Sequence, residues 1–482
     1  MTIKTRYILI LMVLAILTAL ALSTCFTSYT GGTGTIVINI GRNNSRAAFE
    51  PAEIKAFTHT ITLTGPGETQ TKTIEGEGSV EFELIPGTWN IDVRAVGKTP
   101  DEYTTDDNEG TDFPSPMLRA LSRETVEIIT GPNKQADIKM EAATEVKSSK
   151  QLTAAIDIAI NYSRKEVILI TENIIFDDID PLPYINNMSN ITFLADKPVI
   201  ISFPSDSYSS IYIQENSTLT LGRKGMTGHL TIDGNESKEG LFLVDGAELI
   251  MEEGVTIQNS KGGAVKVSGS DDGHGNITPG YFTMNGGKIS GNKHPSTSGG
   301  GVSVANFCSF TMNGGEISGN EAFDGGGVLV DFGGTFIMEE GSIISGNKAS
   351  DNGGGVYVNN YDEGSEGRFY MNGGTISGNK AEYCGGGVYV AGNPSSNVDQ
   401  YGIFIKKGGI IYGSNEDDIR RNEARQGKTD NYQTAFGHAV LVDCYYNLTN
   451  FLGTKKVRDI TADNSIDLNA AISGDGWLVQ IY

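Results

Sequence analysis

"GGGVSVANFCSFTMNGGEISGN", Gly299 to Asn320, returns in near-copies upstream and downstream. The fullest are "YFTMNGGKISGN" (Tyr281 to Asn292), "TFIMEEGSIISGN" (Thr335 to Asn347) and "RFYMNGGTISGN" (Arg368 to Asn379), with weaker copies beginning near Leu249 and Ile403. Methionines at positions 251, 284, 312, 338 and 371 recur at spacings of 33, 28, 26 and 33 residues. Most copies run on into Gly-Gly-Gly-Val, at Gly299, Gly325, Gly353 and Gly385, with Gly262-Gly263-Ala264-Val265 as a variant.

A repeat of this length holds three short strands, around F-x-M, I-S and G-V-x-V. A propeller blade needs four strands and about 40 residues, and a leucine-rich repeat needs its own leucine ladder. The pattern instead predicts a right-handed parallel β-helix in which each coil lends one rung to three sheets, stacked at roughly 4.8 Å. Phe, Met, Ile and Val are expected to point inward and stack on their copies. Gly-Gly and Gly-Gly-Gly are expected to turn corners at positive φ. Asn292, Asn320, Asn347 and Asn379 are expected to tolerate left-handed backbone and to form side-chain ladders between coils.

Composition agrees with a turn-rich folded chain: 62 Gly against 14 Pro in 482 residues, 38% apolar and 20% charged. The formal charge of −23, with no cluster of Lys and Arg, excludes nucleic acid as a partner.

Upstream of the repeats, Ser148 followed by Gln151 reads as a capping box. It opens a helix whose apolar face is Leu152, Ala155, Ile156, Ala159 and Ile160. Such a helix would close the open end of a solenoid. Before it, strand-like runs at Ile36 to Ile40, Thr58 to Thr64, Val80 to Leu84 and Trp89 to Val96 alternate with turns such as Gly65-Pro66-Gly67, predicting a small antiparallel β-sandwich. At the start, Lys4 and Arg6 precede an apolar run from Tyr7 to Leu22, which suits a signal peptide. The chain is thus expected to be all-β: a signal segment at 1–25, a tether at 26–32, an N-terminal β-sandwich at 33–143, a capping helix at 144–164 and a parallel β-helix at 165–482. About ten coils would run roughly 50 Å.

Three resemblances follow from these residues. Leu22-Ser23-Thr24-Cys25 resembles the lipobox of bacterial lipoproteins, which implies lipidation of Cys25 and attachment to a membrane by that lipid. Phe26 after the cysteine is not the Asp of inner-membrane retention, so the expected location is the outer membrane of a bacterial envelope, exposed at the surface. The stretch "LIPGTWNIDVRAVG", Leu84 to Gly97, is similar to a hairpin of transthyretin-like and carboxypeptidase-regulatory-like sandwich modules. The F-x-x-N elements at Phe282, Phe310 and Phe369, with the Gly-Gly-(Ala/Gly)-Val runs, resemble the repeats of polymorphic outer-membrane proteins, β-helical passenger domains of surface adhesins. Those passengers end in a membrane β-barrel. Here the resemblance implies that the lipid on Cys25 replaces it.

Motifs for chemistry are sparse. "SDDGHGN", Ser270 to Asn276, sets an Asp pair beside Gly-His-Gly, but polygalacturonase-like sites place these on separate coils with further motifs that this chain lacks. Asp324, Asp331 and Asp351 are scattered over loops, and Lys406-Lys407 has no carboxylate at matching positions one coil away. Cys308, Cys384 and Cys444 fit no metal spacing and read as packed thiols. No cofactor is expected beyond weak Ca²⁺ binding by Asp106, Asp107 and Asp112 in the acidic loop Thr99 to Pro116, for which a solvated loop is the simpler reading. Tyr357, Tyr361, Tyr383 and Tyr389, near loops that vary in length while the scaffold stays constant, are the expected ligand contacts, for a host or matrix protein or a glycan. The leading expectation is a non-catalytic, lipid-anchored adhesion or interaction protein. The alternatives are a carbohydrate-active enzyme on the same fold and a purely structural coat protein.

Overall fold

The structure, a computed structural model, describes residues 32–40, 55–103, 113–133, 135–163, 165–177, 183–271, 273–360, 365–391, 402–412, 421–425, 428–430, 433–435, 440–442 and 458–460. Cys25, Asp106, Asp107, Asp112, Tyr361 and Cys444 lie outside these. The chain divides into two compact units, Met1–Lys98 with Leu118–Glu141, and Thr99–Met117 with Ala142–Tyr482.

In the first unit Gly34–Ile40 pairs antiparallel with Gly78–Leu84, Gly34 facing Leu84. Thr58–Thr64 lies between Gln70–Glu75 and Gly87–Gly97, antiparallel to both. Alternation decides the faces. Trp89, Ile91, Val93 and Ala95 of one sheet and Ile36, Ile38 and Phe82 of the other are buried in one shared core. The Trp89 indole N–H, which burial would otherwise strand, donates to the Ile85 carbonyl at 2.9 Å.

The second unit is a parallel β-solenoid of about eight turns over roughly residues 143–390, and its faces carry single strands beyond that span. Its three long sheets are in-register stacks. The first face runs from Lys165–Ile170 to Ile403–Lys406, the second from Ile174–Ile175 to Ile410–Ile411, and the third from Tyr184–Ile185 through Val388–Val390 to Val440–Val442. A fourth column of two-residue strands, Lys293–His294 to Glu423–Ala424, sits at the corner between the second and third faces.

Identical residues meet because the register aligns each repeat with the next. Phe282, Phe310, Phe336, Phe369 and Phe404 form one column on the first face, with ring centroids 4.8, 4.8, 4.7 and 5.0 Å apart along it. Met251, Met284, Met312, Met338 and Met371 form a second, all fully buried. Ile289, Ile317, Ile344, Ile376 and Ile411 line the second face, and paired valines from Val302–Val304 to Val388–Val390 line the third. Each aromatic contact of this kind adds about 0.5–1.5 kcal/mol beyond the area it buries.

Glycine has two separate duties here, where sequence predicted one. Gly315 sits at φ 88°, and a Cβ on it would stand 2.7 Å from the Met284 Cε of the preceding coil. Gly326, the second of its triplet, has no such φ. It is glycine because a Cβ would lie 2.5 Å from the Lys348 carbonyl oxygen and 2.7 Å from that of Gly354 on the next coil.

The asparagine ladder is present, but the left-handed residue is its neighbour. Gly291, Gly319, Gly346 and Gly378 take φ of 62–68°, while the asparagines that follow do not. Each buried carboxamide bridges coils: Asn292 Nδ2 donates to Asn320 Oδ1, Asn320 to Asn347 and Asn347 to Asn379, each at 3.0 Å. Asn379 donates to Asn422 at 2.9 Å.

Helix α1, Ser149–Asn161, caps the first coil. Ser148 Oγ accepts from the Gln151 backbone N–H at 3.3 Å, and Gln151 Oε1 accepts from the Lys147 N–H at 2.8 Å, a capping box shifted by one residue. Leu152, Ala155, Ile156 and Ala159 are fully buried against Val146, Ile168 and Phe193. Part of the acidic loop segment also belongs here: Tyr103, Phe113 and Met117 pack with Ile158 of α1, and the Tyr103 hydroxyl meets Thr144 Oγ1 at 2.9 Å. No described helix is long and apolar enough to cross a membrane.

Candidate functional site

Strands of the third face alternate, so while Val302 and Val304 enter the core, Ser303 between them faces out. Register stacks these outward positions into one line: Tyr184, Tyr212, Leu243, Lys266, Ser303, Leu329, Tyr357 and Tyr389. Unlike the apolar inward columns of the same face, this line mixes aromatic, apolar, cationic and hydroxyl side chains. Paired tyrosines flank its middle, and the register runs one rung further, from Tyr389 to Leu441. Tyr184 and Tyr212 stack with centroids 5.5 Å apart and planes 26° apart, and Tyr357 and Tyr389 at 5.2 Å and 22°. The Tyr184 hydroxyl is bonded to Gln214.

Between the aromatic pairs the line forms the floor of a cleft of about 400 Å³. Leu243, Lys266, Ser303 and Leu329 pave it, while Glu239, His294 and the turn Thr297 to Gly299 form one wall and Asp331 the other. His294 Nδ1 faces the Ser298 carbonyl at 3.2 Å. A carbonyl only accepts, so Nδ1 carries the proton and Nε2 is left as an acceptor. Burial pushes this imidazole below its ordinary pKa, so it is neutral near pH 7. Asp331 Oδ1 accepts from the Phe332 N–H at 2.9 Å and from Asn359 Nδ2 at 3.1 Å, and burial raises its carboxyl. Among the described residues neither Lys266 nor Glu239 enters an ion pair. The cleft therefore offers a cation whose charge also acts on nearby Asp245, a carboxylate outside any ion pair, a neutral imidazole acceptor and a hydroxyl over a partly apolar floor.

Comparisons with protein-family models, with curated proteins and with solved structures find no match to this chain. The geometry of the third face is therefore what bears on function.

Of the tyrosines singled out from sequence, Tyr383 is 44% exposed but does not line the cleft, and Tyr357 is half-buried on the line. Tyr389 is only 4% exposed, packed against Cys384 and Ala391 and stacked on Tyr357, so it supports its neighbour from beneath and offers a ligand almost no surface. Tyr184, Tyr212, Lys266 and Glu239 were not singled out, and His294 reads from sequence as a surface or satisfied histidine, because these residues fall in different repeats and show no mutual spacing.

The remaining candidates occupy structural positions. Asp271 of "SDDGHGN" accepts from the Gly273 and Gly275 N–H groups at 2.8 and 3.3 Å, spending its carboxylate on its own hairpin turn. Asp324 Oδ1 accepts from the Asn352 N–H at 2.9 Å, and Asn352 Oδ1 repeats the contact one coil later with the Cys384 N–H at 3.2 Å. Lys406 points inward, opposite Met371 at the end of the methionine column. Cys308 and Cys384 are buried free thiols, and Gly280 N–H points at Cys308 Sγ at 3.2 Å. Among the described residues no three His, Cys, Asp or Glu side chains cluster as metal ligands.

Proposed function

We propose that this chain is a lipid-anchored protein of the bacterial cell envelope that presents the third face of its β-solenoid as an interaction surface, without turnover. One observation carries this. The inward columns of the third face stay apolar on every coil, whereas its outward line carries leucine, lysine and serine between two aromatic pairs, as a recognition surface mounted on a rigid frame should. The anchor rests on the lipobox-like Leu22 to Cys25, and the sandwich-like first unit stands between that cysteine and the solenoid in the chain order. The F-x-x-N and Gly-Gly-(Ala/Gly)-Val repeats support the adhesin-like reading. The experiment is protease treatment of intact cells together with mass spectrometry of the N-terminal peptide. Loss of the solenoid without lysis, and an acylated Cys25, are the expected results. Full protection from protease, or an unmodified Cys25, would refute display by a lipid anchor.

A catalytic reading has one observation in its favour, the grouping of His294, Glu239, Lys266 and Asp331 around one cleft. It predicts release of reducing ends from a polysaccharide by the purified chain, lost in His294→Ala.

A further inference from the structure

We infer that the third face binds a neutral, linear polysaccharide laid along the solenoid axis, with the cleft between Leu243 and Leu329 holding its central residues. This deepens the interaction reading by naming the ligand class, and four observations carry it.

The first is geometric. The outward line is in register from coil to coil and repeats at about 4.8 Å, so an extended pyranose chain advances by about one rung per sugar. From Tyr184 to Tyr389 the line is continuous through eight in-register positions. A folded protein partner has no comparable one-dimensional period.

The second is chemical. Sugar hydroxyls both donate and accept, and they are served by neighbouring groups of opposite character. Lys266 Nζ only donates, the Glu239 carboxylate and His294 Nε2 only accept, and Ser303 Oγ does both. Lys266 and Glu239 keep their hydrogen-bonding capacity for a ligand, since among the described residues no ion pair consumes it. The half-buried Leu243 in the floor suits the C–H face of a pyranose ring, with the more deeply buried Leu329 further along the line.

The third is electrostatic. One cation beside Glu239, Asp331 and the nearby Asp245 makes no anion trap, and the chain's formal charge of −23 repels a polyanion at long range. A neutral polymer escapes that repulsion and still uses both signs as hydrogen-bond partners.

The fourth is the pair of aromatic stacks. Tyr184 is 45% exposed and Tyr357 half-buried, and each is held in place by stacking on its neighbour. They extend the line beyond the cleft with apolar surface and a hydroxyl.

The test is calorimetric titration of the purified, full-length mature chain with cellohexaose, laminarihexaose, chitohexaose and, separately, polygalacturonate. Saturable binding of a neutral hexasaccharide, weakened at least roughly tenfold in both Lys266→Met and Glu239→Gln, is expected. Lys288→Gln on the second face should leave it unchanged. Lys266 is exposed, so its replacement keeps the fold, and Glu239 on a separate turn provides an independent check. The inference is overturned if no neutral hexasaccharide binds, if only polygalacturonate binds, or if binding survives both substitutions. Because this is read in solution, its failure is separate from a failure of surface display, which is read on cells.

Discussion

The side-chain oxygen of Asn320 accepts two hydrogen bonds from Asn292, one from the backbone N–H and one from Nδ2, both at 3.0 Å. Asn320 Nδ2 then donates to the Ile289 carbonyl and to Asn347 Oδ1, again at 3.0 Å. A single buried carboxamide so satisfies polar groups on both adjoining coils. Asn320→Ala leaves several of them buried without partners and should cost about 3 kcal/mol or more. Asn320→Asp keeps the acceptor but loses both donors, and should also destabilise. Urea unfolding checks this, and a midpoint unchanged in both variants would contradict the ladder's role.

The two duties of glycine separate experimentally. Gly326→Ala sets a Cβ against carbonyl oxygens at 2.5 and 2.7 Å and should abolish folding of the central coils. Gly319→Ala meets no heavy atom within 4 Å and suffers only its φ of 64°, so it should lose about 1 kcal/mol. Thermal melts of the two variants should differ widely, and similar losses would mean that close backbone approach is not what selects the middle glycine.

Lys406 is buried to 2% exposure where the methionine column would place another thioether. Desolvation lowers its pKa below the ordinary 10.5. The unfolded chain then holds the proton more tightly, so stability should rise as pH climbs from the folded value towards 10.5. Lys406→Met should stabilise by about 1–2 kcal/mol at neutral pH and remove that alkaline gain. Denaturant titrations at pH 7 and pH 10 measure both.

Asp324 carries the opposite sign. Burial, with Asp351 nearby, raises its carboxyl to about 6, although the Asn352 N–H opposes this. The folded state therefore binds the proton more tightly than the unfolded chain. The associated stability is complete below the unfolded pKa and is lost as pH rises through about 6. Asp324→Asn, which copies Asn352 one coil later, should gain on the order of 1–2 kcal/mol at pH 7 and flatten the stability profile between pH 4 and 6. A variant with the same pH dependence as the parent would refute the assignment.

The core was legible because stacking makes it periodic. Phe310 and Met312 must match Phe336 and Met338 to fill the same cross-section, and that identity survives as a repeat in the sequence. Asn422 belongs to the same ladder, in Asn422-Glu423-Ala424, but lies 43 residues beyond Asn379, and that interval hid it. The middle glycines were assigned to φ because close approach by the next coil leaves no local mark. The site was least legible for a physical reason. Recognition needs a cation and a hydroxyl, Lys266 and Ser303, among apolar neighbours such as Leu243, so a search for what recurs passes over them.

In every coil the strands lie across the long axis and their hydrogen bonds run along it. A force pulling the two ends of the solenoid apart therefore loads these bonds in series, opening one rung before the next, instead of shearing many at once. Such a body yields by stepwise lengthening under tension, giving up one coil at a time while the coils beyond the break keep their shape.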